Sequence, residues 1–359
     1  MYMGKNIEDL FEYAVRCEFE DFNALFKVME LELPEKKMAE AYLMRGQIKL
    51  ITTDLTAVGD LKKGAELIER PHYPCLDSLW HADSANRFIV FPRGKGVLVS
   101  FLMLLPEAKE KMIRLYGEAG NALVRRIRYE IYYYIGAAGA VIDYVESHPN
   151  IMLSNNSNID RMYMLSLCFR SYLSMGENEK AEQSMLGMIK MSQKYPECLQ
   201  IYQEVRGWAN VTTGWSGDTP RFYRDSNGHM QSVLNDRVEA VRRGIGKGRQ
   251  LESCFVGFAQ SAYENTYTIR QYYMDIFHAM YWLSVGDCRQ AEYYFIRLYE
   301  IAEASGVIMP FVECGEQILP LLQYMRDSEV DCPSEWISKI ISMASRYEES
   351  LNSYRTLNL

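Results

Sequence analysis

The sequence predicts an all-α protein in which antiparallel helix pairs stack side by side as an α–α solenoid. Three observations favour this fold class: apolar residues recur at helical spacing, short glycine-containing turns interrupt that spacing, and no segment resembles a β-rich domain. The chain has 359 residues, more than one globular domain usually contains. A solenoid can be longer than a globular domain because each repeat contacts only its neighbours. We therefore expect one helical-repeat domain over residues 1–359.

The first clear helix pair is predicted within residues 41–71. Gly59 and Asp60 are predicted to form its turn, because glycine suits the left-handed residue that ends a helix and aspartate suits the N-cap of the next helix. Gly64 follows five residues after Gly59. A residue this small lets the second helix approach the first closely.

Two further pairs are predicted in the middle of the chain. A helix ending at Tyr134-Ile135-Gly136 has its partner at 137–145, and a second pair over 161–196 turns at Gly176. The interval between Gly136 and Gly176 matches one helix pair plus a connection, but the other intervals are irregular. The array is therefore degenerate, and a non-repetitive helical bundle with a few Gly-Asp turns is the alternative.

The best-defined pair turns at Gly286-Asp287. Its first helix carries one apolar face, and apolar residues at helical spacing begin again in its second helix with Ala291. Ala291 is a small residue five positions after the predicted turn glycine, as Gly64 and Ala181 are in the other pairs. The residues of the first face are Ile269, Tyr272, Tyr273, Ile276, Ala279, Met280 and Leu283. An isolated pair would leave a wide apolar face in water, so neighbouring helices must cover it.

Composition and charge exclude several classes of protein. The net charge of −8 and the sequence pI near 5.4 argue against direct nucleic-acid binding, because such modules usually carry a basic surface. The longest apolar run, at 97–105, is too short for a bilayer, which needs about 20 residues. The N-terminus lacks the basic-plus-apolar pattern of a signal peptide. We therefore expect a cytoplasmic protein that does not contact a membrane.

Two basic clusters are predicted to be solvated rather than to bind phosphate. Arg125, Arg126 and Arg128 lie on one predicted helix, and the second cluster, RRGIGKGRQ, spans residues 242–250. The second cluster is not a P-loop, because no Ser or Thr follows its Gly-Lys and no strand precedes it. We interpret it as a flexible connection between helices.

No pattern of catalysis or metal binding is present. The eight cysteines are scattered without a CxxC pair, so reduced and buried thiols are expected. None of the five histidines pairs with another at metal spacing, and no serine occupies a GxSxG turn. We predict no catalytic residues, no metal and no cofactor, although a repeat fold can bring distant residues together.

Aromatic residues beyond one helix face are the remaining candidates for ligand contacts. Most aromatic stripes at helical spacing belong to the core, but surplus rings can line the groove of a superhelix. Trp208 and Trp215 are favoured because they bracket an irregular break predicted at 207–230, and long breaks are often functional. The predicted ligand-binding residues are Trp208, Trp215, Tyr132, Tyr133, Tyr272 and Tyr281.

The C-terminal part of the chain resembles the helical-repeat, TPR-like sensor region of MalT-like, LuxR-type bacterial transcription regulators. In that family the last repeat closes with a Gly-Asp turn, and a loop of the form small-Gly-x-x-x-Pro-Phe-x-Glu then leads to Leu-x-Pro-Leu-Leu. The matching residues are Gly286, Asp287, Ala291, Gly306, Pro310, Phe311, Glu313, Gly315, Leu319, Pro320, Leu321 and Leu322. The segment 334–359 resembles the helix that leads into the family's DNA-binding domain.

The resemblance implies a sensor without its output domain. Family members carry a helix-turn-helix domain where this chain ends, and many carry an ATPase whose P-loop is missing here. The expected role is to receive a small-molecule inducer or a regulatory protein in the superhelix groove and so control an attached DNA-binding domain. Self-association of the sensor is left open.

Two other functions are weighed against the sensor. A TPR-like scaffold that binds only protein or peptide partners would present a polar groove with asparagine and lysine side chains. A small-molecule sensor would present a deep aromatic pocket. An enzyme would require a buried cluster of carboxylates or histidines with shifted pKa values.

Overall fold

The computed structural model describes residues 6–78, 94–152, 157–199, 201–203, 205–206, 209, 269–328 and 330–357. Every regular element in these ranges is helical and none is a strand, which confirms the predicted all-α class. The α-helices are α1 (Ile7–Val15), α2 (Phe19–Glu32), α3 (Ala39–Ile51), α4 (Ala57–Leu67), α5 (Val97–Tyr116), α6 (Glu118–Tyr134), α7 (Ala138–Ser147), α8 (Asn158–Met175), α9 (Asn178–Lys194), α10 (Ile269–Ser284), α11 (Cys288–Ser305), α12 (Met309–Val312), α13 (Leu319–Asp327) and α14 (Ser334–Leu357). The 3₁₀ helices are Glu35–Met38, Leu76–Ser78, Pro149–Met152, Pro196–Cys198 and Gly315–Ile318.

Consecutive helices pack as pairs, most extensively α3 with α4, α5 with α6, α8 with α9, and α10 with α11. Five of the turns end the first helix in the same way. One residue takes a left-handed conformation and donates its N–H three residues back, and the next residue donates five residues back, the hydrogen-bond pattern of a Schellman motif. The left-handed residues are Cys17, Thr53, Gly136, Gly176 and Gly286.

The turn predicted at Gly59-Asp60 is wrong, because both residues lie inside α4. The left-handed residue between α3 and α4 is Thr53, with φ +57°, and the Asp54 carboxylate accepts a hydrogen bond from the Thr56 N–H at 2.7 Å. Asp60 has a different role. It is buried and pairs with cations of α3, so packing between the helices rather than capping accounts for it.

The small residues predicted in the second helix of a pair, Gly64, Ala181 and Ala291, are closely packed, but Gly64 does not lie five residues after a turn because Gly59 is inside α4. A Cβ atom added at Gly64 would lie 2.7 Å from Leu43 Cγ and 2.9 Å from the Ala39 carbonyl oxygen. Ala181 and Ala291 are completely buried. The close approach of the paired helices therefore requires a small side chain at these positions.

The arginines of α6 correct the prediction of a solvated face. Arg125 is buried and lies 2.5 Å from Asp160, and Arg126 is buried beside Asp77. Helix α6 packs against α5, α7 and α8, so it has no broad solvated side. Each guanidinium is stable there because a carboxylate from another element neutralises it.

The C-terminal helices also contact elements far back along the chain. Helix α14 packs against α8 and α9, α12 packs against α6, and α11 packs against α5. Lys95 Nζ lies 2.6 Å from Glu303 Oε1. These contacts join the C-terminal helices to the middle of the described chain. No described helix combines the length and the apolar character that crossing a bilayer requires.

Candidate functional site

A cleft of about 580 Å³ lies where the hairpin turns meet the C-terminal helix. One side is formed by the turns α6–α7 and α8–α9, the other side by α14, and α12 contributes two apolar side chains, Met309 and Val312. Its volume falls in the range of about 300–1,000 Å³ that is typical of sites for small ligands. The cleft is therefore the candidate site.

Glycines form much of the wall made by the hairpin turns. Gly136 and Gly176 occupy left-handed positions that end helices, with φ +82° and +79°. Gly139 lies in the first turn of α7, and a Cβ atom added to it or to Gly176 would meet no other atom within 4 Å. The space beside these two residues is therefore open to a ligand backbone.

The first residues of α7 and α9 line the same wall. Neither helix has a side-chain N-cap, since Ala137 precedes α7 and Glu177 makes no capping hydrogen bond to α9. A helix N-terminus carries partial positive charge on its unsatisfied N–H groups. The first N–H groups of α7 and α9 therefore have no side-chain cap and are candidate donors to a ligand at this wall.

The charged wall belongs to α14. Arg346 and Glu349 are its exposed members, and they lie three residues apart, on the same side of the helix. Arg346 Nε makes only a long hydrogen bond, 3.4 Å, to the Ser342 carbonyl oxygen. Neither side chain forms an ion pair with another described residue.

Helix α14 is fastened to the hairpin turn by a buried pair. The Asn178 side chain donates to the Ser350 carbonyl oxygen at 3.0 Å, and the Ser350 hydroxyl donates to Asn178 Oδ1 at 2.9 Å. One turn further on, the Tyr354 hydroxyl donates to Glu182 Oε2 at 2.6 Å. The position of α14 therefore depends on contacts that adjoin the cleft.

A buried polar network centres on Glu313, which directly follows Val312, a residue that lines the cleft. Its carboxylate accepts hydrogen bonds from the hydroxyls of Tyr133 and Tyr273 and from Arg170, whose Nη2 lies 2.7 Å from Glu313 Oε1. The Arg170 guanidinium also lies 4.5 Å from the centre of the Tyr133 ring. The network joins α6, α8 and α10 to the residue that follows α12.

The electrostatics of this network follow from burial. Removal from water, and then the Glu313 carboxylate, raise the pKa of Tyr133 and of Tyr273 well above 10. Burial alone would lower the pKa of Arg170, but the neighbouring Glu313 carboxylate raises it above its ordinary value. The tyrosines therefore stay neutral donors at neutral pH, and the arginine stays charged.

The residues predicted to bind a ligand do not meet at the cleft. Tyr133 and Tyr272 are completely buried, and the Tyr272 hydroxyl donates to the Val307 carbonyl oxygen at 3.0 Å. Tyr281 is buried, and Tyr132 is half-buried with its ring against Tyr129. These four tyrosines pack in or against the core in this structure, and their role as ligand contacts stays a prediction.

Trp208 and Trp215 lie outside the described residues, as does the predicted break at 207–230 apart from Ala209.

The sequence analysis did not predict the charged residues of the cleft or the buried network around Glu313. Arg170 stands alone in an apolar stretch of α8, and Glu313 stands alone in an apolar loop. A single charged residue within an apolar segment indicates a buried charge, and a buried charge requires a partner of opposite sign. The sequence therefore contained a signal for the Arg170–Glu313 pair. Arg346 and Glu349 gave no comparable signal, since charges on a C-terminal helix are common.

Within the described part of the chain, no group of three His, Cys, Asp or Glu side chains is placed to hold a metal ion. Burial raises the pKa of the Cys75 and Cys168 thiols to about 12. Both thiols are therefore protonated and unreactive at neutral pH.

The chain was compared with protein-family profiles and with curated proteins. No protein-family profile matches the chain, and the search of curated proteins found no match.

Proposed function

We propose that this chain is the signal-receiving domain of a LuxR-type, MalT-like bacterial transcription regulator. In this proposal its helix pairs stack as a TPR-like superhelix in the cytoplasm, and it binds a signal without catalysing a reaction or contacting DNA itself. The position of the cleft carries the proposal. A ligand there contacts two hairpin turns on one side and α14 on the other.

The proposed mechanism is a shift between two positions of α14. A ligand that touches Gly139 and Arg346 at once favours the docked position of α14, provided that its affinity for this position exceeds its affinity for the other. By its resemblance to the regulators, α14 is the helix that would lead to a DNA-binding domain. Occupancy of the cleft would then set the orientation of that domain.

A scaffold that binds only protein or peptide partners is the second candidate, and one observation favours it. No aromatic side chain among the described residues lines the cleft, whereas Asn178, Ser174 and Ser353 do. A polar lining suits hydrogen bonding to a peptide backbone better than burial of an apolar inducer. The two candidates share a ligand site and differ in whether binding regulates an attached domain.

A thermal-shift screen of the full chain against sugars, nucleotides, amino acids and short peptides tests the proposal. A ligand that binds only the folded state raises the melting temperature with its concentration. We expect stabilisation by one class of ligand, and we expect Gly139→Phe to abolish it by filling the cleft.

The matched control is Gly59→Phe. Gly59 also lies in the first turn of a helix, is exposed, and has no atom within 4 Å of an added Cβ, but it lies outside the cleft. Stabilisation retained in Gly59→Phe and lost in Gly139→Phe supports the site. Stabilisation that survives both substitutions contradicts the site, and so does the absence of stabilisation by every class of ligand.

A further inference from the structure

We propose that the ligand of the cleft is a short zwitterionic peptide whose carboxylate pairs with Arg346 and whose amino group pairs with Glu349. This inference rests on the proposed function, since it names the ligand class of the same site. It goes further because it assigns recognition to two particular side chains of α14.

The charges of α14 carry the first step. Among the described residues that line the cleft, Arg346 and Glu349 are the charged ones, and neither has an ion-pair partner in the described chain. By contrast, Glu348 and Arg355, on the same helix, pair with each other at 3.1 Å. Within the described chain, Arg346 and Glu349 are therefore unpaired charges that face the cleft, whereas Glu335 and Lys339, the other unpaired charges of α14, lie outside it.

The opposite signs of these charges carry the second step. A purely anionic ligand would pair with Arg346 but would lie close to the Glu349 carboxylate, and a purely cationic ligand would meet the reverse conflict. A molecule with one carboxylate and one ammonium group satisfies both side chains. Arginine suits the carboxylate in particular, because its planar guanidinium donates two parallel hydrogen bonds.

The opposite wall carries the third step. Gly139 and Gly176 present backbone without side chains and leave open space, so an extended peptide backbone can approach closely. Met175, which is 48% exposed, and the partly buried Met343 supply a small apolar surface for a short side chain. The volume of about 580 Å³ accommodates a short peptide, and the polar lining disfavours an apolar ligand.

Calorimetric titration of the full chain with trialanine tests the inference. The probe is used in three forms: with both termini free, with an acetylated N-terminus, and with an amidated C-terminus. We expect the free peptide to bind, and we expect each blocked form to bind about tenfold more weakly, because each loses one charge-assisted contact.

Two substitutions assign the termini. Arg346→Gln should lower the affinity for the free peptide about tenfold, and amidation of the peptide's C-terminus should then cause no further loss. Glu349→Gln should also lower this affinity about tenfold, and acetylation of the peptide's N-terminus should then cause no further loss. Lys339→Gln and Glu335→Gln are the matched controls, since both residues are exposed on α14 and lie outside the cleft. They should leave all three affinities unchanged.

Equal binding of the free and blocked peptides, or unchanged affinity in Arg346→Gln, would overturn the inference. Failure of trialanine to bind also overturns it. The proposed function survives that failure if another ligand of the thermal-shift screen stabilises the chain and loses its effect in Gly139→Phe. If no ligand depends on Gly139, the proposed function fails as well.

Discussion

Glu313 connects three helices through one carboxylate. It accepts hydrogen bonds from Tyr133 of α6, Arg170 of α8 and Tyr273 of α10. Both members of the ion pair are buried, with side-chain exposures of 5% for Arg170 and 4% for Glu313. A charge so far from water is tolerated only while its partner remains.

We predict that Glu313→Gln lowers the free energy of unfolding by about 3 kcal/mol, because it leaves the Arg170 guanidinium buried without a counter-charge. Denaturant unfolding at neutral pH measures the loss. Combining it with Arg170→Met should cost less than the sum of the single losses, since the pair acts as a unit. Strictly additive losses would contradict the coupling.

The matched control for this pair is Glu146→Gln. Glu146 lies 3.0 Å from Lys180 Nζ, and both side chains are about half exposed. Water and salt screen such a pair, so the unfolding midpoint of Glu146→Gln should stay close to that of the unmodified chain.

The tyrosines of the network predict a loss of stability at high pH. Burial raises the pKa of Tyr133 and Tyr273 well above 10, and the Glu313 carboxylate raises it further. In the unfolded chain the pKa of a tyrosine is about 10. The stability they contribute is therefore complete below about pH 10 and is lost as the pH rises toward their folded-state pKa.

An absorbance titration of tyrosinate checks this prediction. Exposed tyrosines should ionise first, and the buried ones should ionise together with unfolding. Tyr133→Phe should remove one tyrosine from the late step without changing the early one. A single smooth titration of all tyrosines, with no unfolding step, would be inconsistent with the buried network.

At the scale of elements, one type of hairpin turn recurs in the described part of the chain. The same backbone hydrogen bonds recur at Cys17, Thr53, Gly136, Gly176 and Gly286. Three of these residues are glycine, which takes a left-handed conformation without strain. The cysteine and the threonine take it because the helices on either side are already fixed by packing.

Gly136 is the turn at which glycine is most strictly required. Its φ is +82°, and an added Cβ atom would lie 2.6 Å from Ile308 Cδ1. We predict that Gly136→Ala destabilises the chain by about 2 kcal/mol, from backbone strain together with the displaced Ile308. Thermal unfolding followed by circular dichroism measures the change.

Gly59→Ala is the control with the opposite sign. Gly59 is exposed inside α4, and an added Cβ atom would meet no other atom within 4 Å. Alanine there should stabilise the chain by about 0.5–1 kcal/mol. Stabilisation by both substitutions would show that the turn tolerates a side chain.

At the scale of the whole molecule, long-range packing should make unfolding cooperative. In a nearest-neighbour repeat array, segments unfold separately. Here α14 packs on α8 and α9, and α12 packs on α6, so the C-terminal helices cannot detach without exposing the middle of the chain. We predict a single transition for the two ends of the described chain.

Two fluorescent labels test this cooperativity. One label on an exposed residue of α2 and another on an exposed residue of α14 should report the same midpoint and the same slope in denaturant. Two midpoints, with α14 released at the lower one, would show that the C-terminal helices form a separate unit.

The sequence alone was enough to predict the helical class, the pairing of helices and the turns at Gly136, Gly176 and Gly286. These features depend on local rules: the period of apolar residues, and the freedom of glycine to take a positive φ. The buried face of α10 followed from the same period, and the small residues Ala181 and Ala291 followed from their distance to the turns at Gly176 and Gly286.

Only the tertiary structure decided what the polar residues do. Arg170 and Glu313 are 143 residues apart in the chain, and no local pattern places them together. Arg125 is buried because Asp160 reaches it from α8, and Thr53 replaces the expected glycine turn because its flanking helices hold it. The cleft exists because α14 folds back onto α8 and α9. Side-chain period is a property of neighbouring residues, whereas a cleft and an ion pair are made by segments that only the folded chain brings into contact.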